Sequence, residues 1–145
     1  MLRIPKNGPV VALDGPAGTG KSTATRRLAE ALGFTHVDTG ALYRSIAYLL
    51  IEQEQGDREK ALVEDKAVRL AGTIQLEFRR KPNKNPANRI IAEGRDVTDF
   101  IRTPEVSMAA SQVSAIPGVR KALLELQRRM GCMGKTILEG RDIGT

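Results

Sequence analysis

The stretch Gly15-Pro-Ala-Gly-Thr-Gly-Lys-Ser22 constrains the fold more than any other, because of what flanks it. Before it runs Val10-Val-Ala-Leu13, a short continuous apolar segment closed by Asp14 and Gly15, the pattern of a strand buried on both faces. After it, Ala24, Leu28, Ala31 and Leu32 recur on one helical face, and Gly33 supplies the stop. Gly15, Gly18 and Gly20 let backbone N–H groups turn inward around an anion, and a helix opening near Lys21 adds its positive N-terminal end. The spacing G-x-x-x-x-G-K-[ST] in a strand, loop, helix setting reads as a phosphate-binding loop. Lys21 would reach the β and γ phosphates of a nucleoside triphosphate, and Ser22 would place its hydroxyl on Mg²⁺. A Gly-rich turn that only caps a helix needs no buried strand ahead of it.

The chain has 145 residues, and 23 Lys and Arg against 17 Asp and Glu give a net charge of +6. With 41% hydrophobic and 28% charged residues, it suits one globular domain, or part of one, and is too apolar for disorder. Aromatics are only 3% with no Trp, so a stacking platform for single-stranded nucleic acid has little to be built from. The positive charge then suits small phosphates better. A single cysteine, Cys132, and a single histidine, His36, exclude an internal disulfide and a Cys/His metal cluster. Cys132 lies in a loop by composition, with no histidine base near it in sequence. No apolar run approaches the roughly 20 residues of a membrane helix, which points to a reducing cytoplasm.

Further along, Phe34 to Asp38 reads as a short strand, and Leu42, Ser45, Ile46, Leu49 and Leu50 form a second helical stripe ending before Gly56. Strand, helix, strand, helix argues for an α/β fold with a parallel core sheet. Asp57 reads as the N-cap of one charged helix to about Leu70. Ile74, Leu76 and Phe78 then alternate as a strand, Lys81 to Pro86 is a loop, and Arg89 to Ala92 is a strand, making residues 73–98 a small antiparallel insertion. Thr103-Pro104 starts a helix to about Ala115, Pro117 opens another to about Met130, and Thr136 to Glu139 is again a buried strand. Sheets commonly have about five to six strands, whereas the parallel candidates here are those near Val11, Val37 and Ile137. The chain therefore reads as the first part of something longer. Glu-Gly-Arg-Asp occurs at 93–96 and again at 139–142, in contexts too unlike to make a repeat.

Four segments together resemble the bacterial cytidylate kinases, a family of nucleoside monophosphate kinases. They are Asp14 to Thr23 (DGPAGTGKST), Asp38 to Arg44 (DTGALYR), Ala110 to Arg120 (ASQVSAIPGVR) and Leu138 to Thr145 (LEGRDIGT), in the family's order over essentially the whole chain. The first is shared among many phosphate-loop proteins; the last two are much more specific. The resemblance implies the three-layer P-loop NTPase fold, with a small α+β monophosphate-binding insertion. It divides the chain into a first core part (1–62), the insertion (63–102), and a core continuation (103–145) truncated before an arginine-bearing lid and the last strands. It implies an ATP site of Gly15, Pro16, Ala17, Gly18, Thr19, Gly20, Lys21, Ser22 and Thr23, with Ser22 on Mg²⁺. It also implies a CMP site of Thr39, Arg44, Ser111, Arg120, Arg141 and Asp142, with Lys21 and Arg141 acting on the transferred phosphoryl group. The expected enzyme is a monomeric cytoplasmic transferase, ATP-dependent, acting on CMP or dCMP with no nucleic-acid or membrane partner.

The residue chemistry agrees. Arginines 44, 120 and 141 are cationic forks for a monophosphate acceptor. Asp142 can accept from the amino group of cytosine, where uracil would present a carbonyl. Asp14 and Asp38 suit water-mediated metal binding and turn formation equally. The alternatives are another acceptor, UMP above all, and a basic nucleic-acid-binding P-loop module. A guanine-selective switch protein would carry N-K-x-D, and Asn83-Lys84-Asn85 lacks the aspartate. Lys21→Ala is expected to cut phosphoryl transfer by on the order of 10²-fold or more in an ADP-release assay; undiminished turnover would contradict the reading of the loop.

Overall fold

A computed structural model describes residues 10–14, 21–81, 83–84, 88–131 and 135–140. Twelve elements follow in order: β1 (Val10–Asp14), α1 (Lys21–Leu32), β2 (Thr35–Asp38), α2 (Thr39–Gln53), α3 (Arg58–Ala61), α4 (Glu64–Thr73), β3 (Leu76–Arg80), β4 (Asn88–Ala92), β5 (Arg95–Asp96), α5 (Pro104–Ser114), α6 (Pro117–Gly131) and β6 (Thr136–Gly140). Contacts divide the chain into two compact units. One holds residues 1–39, 80–88 and 126–145; the other holds 40–79 and 89–125.

In the first unit, the three strands expected from the sequence form a parallel sheet in the order β1-β6-β2. β6 is central, pairing Val10 with Thr136 through Asp14 with Gly140 on one side, and Thr35 with Thr136 through Asp38 with Glu139 on the other. Ile137 and Leu138 are consecutive and both buried. Since neighbouring residues of a strand face opposite ways, both faces of β6 are covered. Helix α1 packs on β6 and β2 and closes at Gly33 as expected, the Phe34 amide donating back to the Ala29 carbonyl at 2.9 Å. The side-chain amide of Asn88 donates to the His36 carbonyl at 2.8 Å, supplying a partner along β2.

The second unit carries α2 from Gly40 onward, the short helices and the antiparallel sheet β3-β4-β5. The helix expected from Asp57 to Leu70 is broken in two. Asp57 does cap it, accepting from the Lys60 amide at 3.2 Å, but the turn ends at Leu62, Val63 is extended, and α4 starts afresh at Glu64. The buried residues explain the break: Ala61, Ala67 and Ala71 all lie inside, yet six residues of continuous helix rotate a side chain by about 240°. Breaking at Leu62–Val63 brings Ala61 and the Ala67/Ala71 stripe to the interior together. Helix α4 then runs on to Thr73, so strand β3 begins at Leu76 and Ile74 is left as a buried C-cap. Helix α5 starts as expected, Thr103 accepting from the Val106 amide at 3.2 Å with Pro104 next.

The two copies of Glu-Gly-Arg-Asp do different work. In the first, Glu93 (φ 50°) and Gly94 (φ 80°) form the two-residue turn between β4 and β5, the paired positive φ values that match the twist of a hairpin. The second begins as the end of β6, with Arg141 and Asp142 outside the described residues. Cys132 is outside them too.

Behind the hairpin, a buried arginine is held by two carboxylates, one half-buried and one exposed. Arg89, 5% exposed, donates from Nε to Asp96 Oδ2 at 2.9 Å and from Nη2 to Asp99 Oδ2 at 2.8 Å. Thr98 ties the same carboxylate down, its hydroxyl donating to Asp96 Oδ1 at 2.7 Å while accepting from the Ile90 amide at 2.9 Å. Burial alone would raise the Asp96 carboxyl; hydrogen bonds from Arg89 and Thr98 outweigh it and hold the pKa at about 2. At a second tight place, a Cβ added at Gly118 of α6 would lie 2.8 Å from Val68 Cγ2 of α4.

Two outcomes follow. A depressed carboxylate stabilises the fold above its unfolded pKa of 3.8, and that contribution is lost as pH falls towards about 2. The contribution is on the order of 2 to 3 kcal/mol at most, so Asp96→Asn should flatten the acid limb of an unfolding titration; superimposable limbs for both proteins would contradict the clamp. Gly118→Ala should cost about 1 kcal/mol net, overpacking against a stiff Val exceeding the gain in helix propensity. Adding Val68→Ala should recover part of it, and additive losses in denaturant melts would contradict the contact.

Candidate functional site

The parallel ladder sets the geometry of the site. Asp14 and Gly140 are register partners at the ends of β1 and β6, and Asp38 of β2 is paired with Glu139. Neighbouring strands lie about 4.8 Å apart, so the chain leaves the sheet at Gly15, at Thr39 and at Arg141 along one short edge. In open α/β sheets this carboxyl edge is where ligands bind. Gly15, Pro16, Ala17, Gly18, Thr19 and Gly20 lie outside the described residues, as do Arg141 and Asp142. Lys21 and Ser22 open α1, and Thr23 follows, exposed, in its first turn.

Thr39 is the first residue of α2, directly after Asp38, and is buried. Arg44 is one turn further along the same helix, with its Nε buried. Ser111 on α5 and Arg120 in the first part of α6 are exposed. Within the second unit, α2 and α6 meet at the residue preceding Arg44: the Arg120 guanidinium lies close enough to the Tyr43 hydroxyl to act on its ionisation. Burial raises the Tyr43 hydroxyl pKa, and the Arg120 charge and hydrogen bond offset only part of that rise. Thus two arginines expected in one site are linked through a tyrosine to which the sequence reading assigned no role. The available signal was an aromatic residue with a polar tip in the second turn of a buried helix, which usually finds a hydrogen-bond partner.

The described residues contain no group of three or more His, Cys, Asp or Glu placed to hold a metal ion. No helix among the described residues is long and apolar enough to cross a membrane.

Comparison with known proteins identifies the family of the chain. Residues 11–145 match the family model described as Cytidylate kinase. The cytidylate kinase of Citrifermentans bemidjiense is 44% identical over 148 aligned positions, which cover 100% of this chain and 59% of that protein. That of Geobacter sp. strain M21 is 46% identical with the same coverage, 100% and 59%. A protein of Synechococcus sp. strain RCC307 named bifunctional pantoate ligase/cytidylate kinase is 43% identical over 94% of this chain and 26% of its own length. The chain thus spans about 59% of the length of the first two relatives. A family match over nearly the whole chain, joined to an α/β fold with a parallel sheet, places this chain in the cytidylate kinase family.

Proposed function

We propose that the protein transfers the γ phosphate of ATP, carried with Mg²⁺, to CMP or dCMP, giving ADP and the corresponding diphosphate. The observation that carries this reading is the register of β6 between β1 and β2, which ends the triphosphate-loop strand and the Glu-Gly-Arg-Asp strand side by side. Residues Gly15 to Thr23 form the ATP site, Lys21 facing the transferred group and Ser22 holding Mg²⁺. Thr39, Arg44, Arg120 and Arg141 bind the acceptor phosphate; Ser111 and Asp142 read the base. Tyr43 lies beside the Arg120 guanidinium and helps to orient it. Lys21 and Arg141 stabilise charge on the phosphoryl group in flight, and the chemistry needs positioning more than any protein base. Residues 63–102 serve as the monophosphate-binding insertion between core segments 1–62 and 103–145. The enzyme acts as a cytoplasmic monomer on free nucleotides, a reading that the 3% aromatic content and absence of Trp favour over nucleic-acid binding.

The test is calorimetric titration of the chain with CMP, UMP and ATP separately. CMP should bind more tightly than UMP by at least about tenfold, since one well-placed base contact discriminates by about 1–3 kcal/mol. Asp142→Ala should erase most of that ratio and leave ATP affinity within about twofold. Equal affinity of the unaltered chain for CMP and UMP would contradict the assignment.

A further inference from the structure

Helix α2 carries Arg44, Tyr48 and Glu52 four residues apart, so the three side chains lie along one stripe. The last two are engaged with a single feature, strand β5 and the turn after it. Tyr48 donates its hydroxyl to Glu52 Oε2 at 2.7 Å, and Arg95 of β5 donates to the other oxygen of the same carboxylate. The Tyr48 ring stacks on Phe100, centroids 5.9 Å apart and planes 16° from parallel. Arg95 and Phe100 flank the residues that the buried Arg89 holds, Asp96 and Asp99. The stripe on α2 therefore ends on the most firmly bonded part of the antiparallel sheet. All of these residues belong to one compact unit.

We propose that Tyr48, Glu52, Arg95 and Phe100 form a brace that fixes α2 against β5 and so aims Arg44, making Tyr48 and Glu52 positioning residues for the acceptor phosphate. The inference rests on the reading of Arg44 as a phosphate ligand. Its partners are partly exposed: the Glu52 and Arg95 side chains are 40% and 54% accessible, and Phe100 is 56% exposed. Contacts of that kind add little to overall stability, but they hold long side chains and two rings in one arrangement. What they do control is the orientation of the helix between them and Arg44. Arg44 cannot reorient independently of that helix, because its Nε is buried. A bidentate fork must meet a phosphate within a fraction of an ångström, so a small tilt of α2 acts on binding more than on folding.

The experiment compares Tyr48→Ala, Tyr48→Phe and Glu52→Gln with the unaltered chain, measuring CMP affinity, ATP affinity and hydrogen exchange along α2. Tyr48→Ala should weaken CMP binding on the order of tenfold, with ATP affinity within about twofold, while Tyr48→Phe, which keeps the ring stack, should recover much of the loss. Amides in residues 40–47 should exchange faster in Tyr48→Ala, and those of β6 should not. Unchanged CMP affinity in Tyr48→Ala overturns the brace, as does an equal loss of CMP and ATP binding that Tyr48→Phe fails to rescue. If the unaltered chain binds no CMP, the acceptor reading falls, and the brace is decided by exchange: unchanged rates at 40–47 overturn it, and faster rates confined there uphold it.

Discussion

The hydrogen-bonded ladder from β6 to β1 and β2 is the interaction on which the rest depends. It joins residues more than a hundred positions apart, Asp14 to Gly140 and Val10 to Thr136, and it buries Ile137 and Leu138 on opposite faces of one strand. A shift of one residue along β6 would turn both buried side chains to the wrong faces and would also move the start of Arg141-Asp142 relative to the phosphate loop. Register therefore links stability to chemistry: the apolar pattern that selects the pairing also selects which residues leave the sheet together.

The second unit is held by different means. Its hairpin is anchored by a buried guanidinium shared between Asp96 and Asp99, an arrangement that tolerates burial only because each polar group is matched. Helices α4 and α6 approach closely because position 118 has no side chain. Neither device is chemical in itself. Both lie in the unit that carries most of α2, the helix with the tyrosine and arginine on which acceptor binding rests in the proposed mechanism.

Much of this was legible in the sequence, for physical reasons that can be named. Short-range signals were read well: the strand before Gly15, the Gly33 stop, the Asp57 and Thr103 caps and the three parallel strands all rest on periodicity or capping chemistry within a few residues. The break at Leu62–Val63 carries no Gly or Pro to signal it, and only the inward placement of Ala61 with Ala67 and Ala71 demands it. Pairings across the second unit were beyond local reading. Nothing in the neighbourhood of Arg89, Arg95 or Tyr43 says that their partners are Asp99, Glu52 and Arg120. The repeated Glu-Gly-Arg-Asp shows the limit well, since the same four letters make a hairpin turn in one place and leave a parallel strand in the other.

In the function proposed for this chain, the carboxyl edge of the β1-β6-β2 sheet, up to Thr39, receives the acceptor nucleotide. This placement is tested most directly by titrating an isotopically labelled chain with CMP and following the backbone amides by NMR. The largest shifts are expected at Asp14, Asp38, Thr39 and Gly140, with the amino ends of the same strands little affected. Shifts confined to β3, β4 and β5, or spread evenly along β1, β2 and β6, would contradict it.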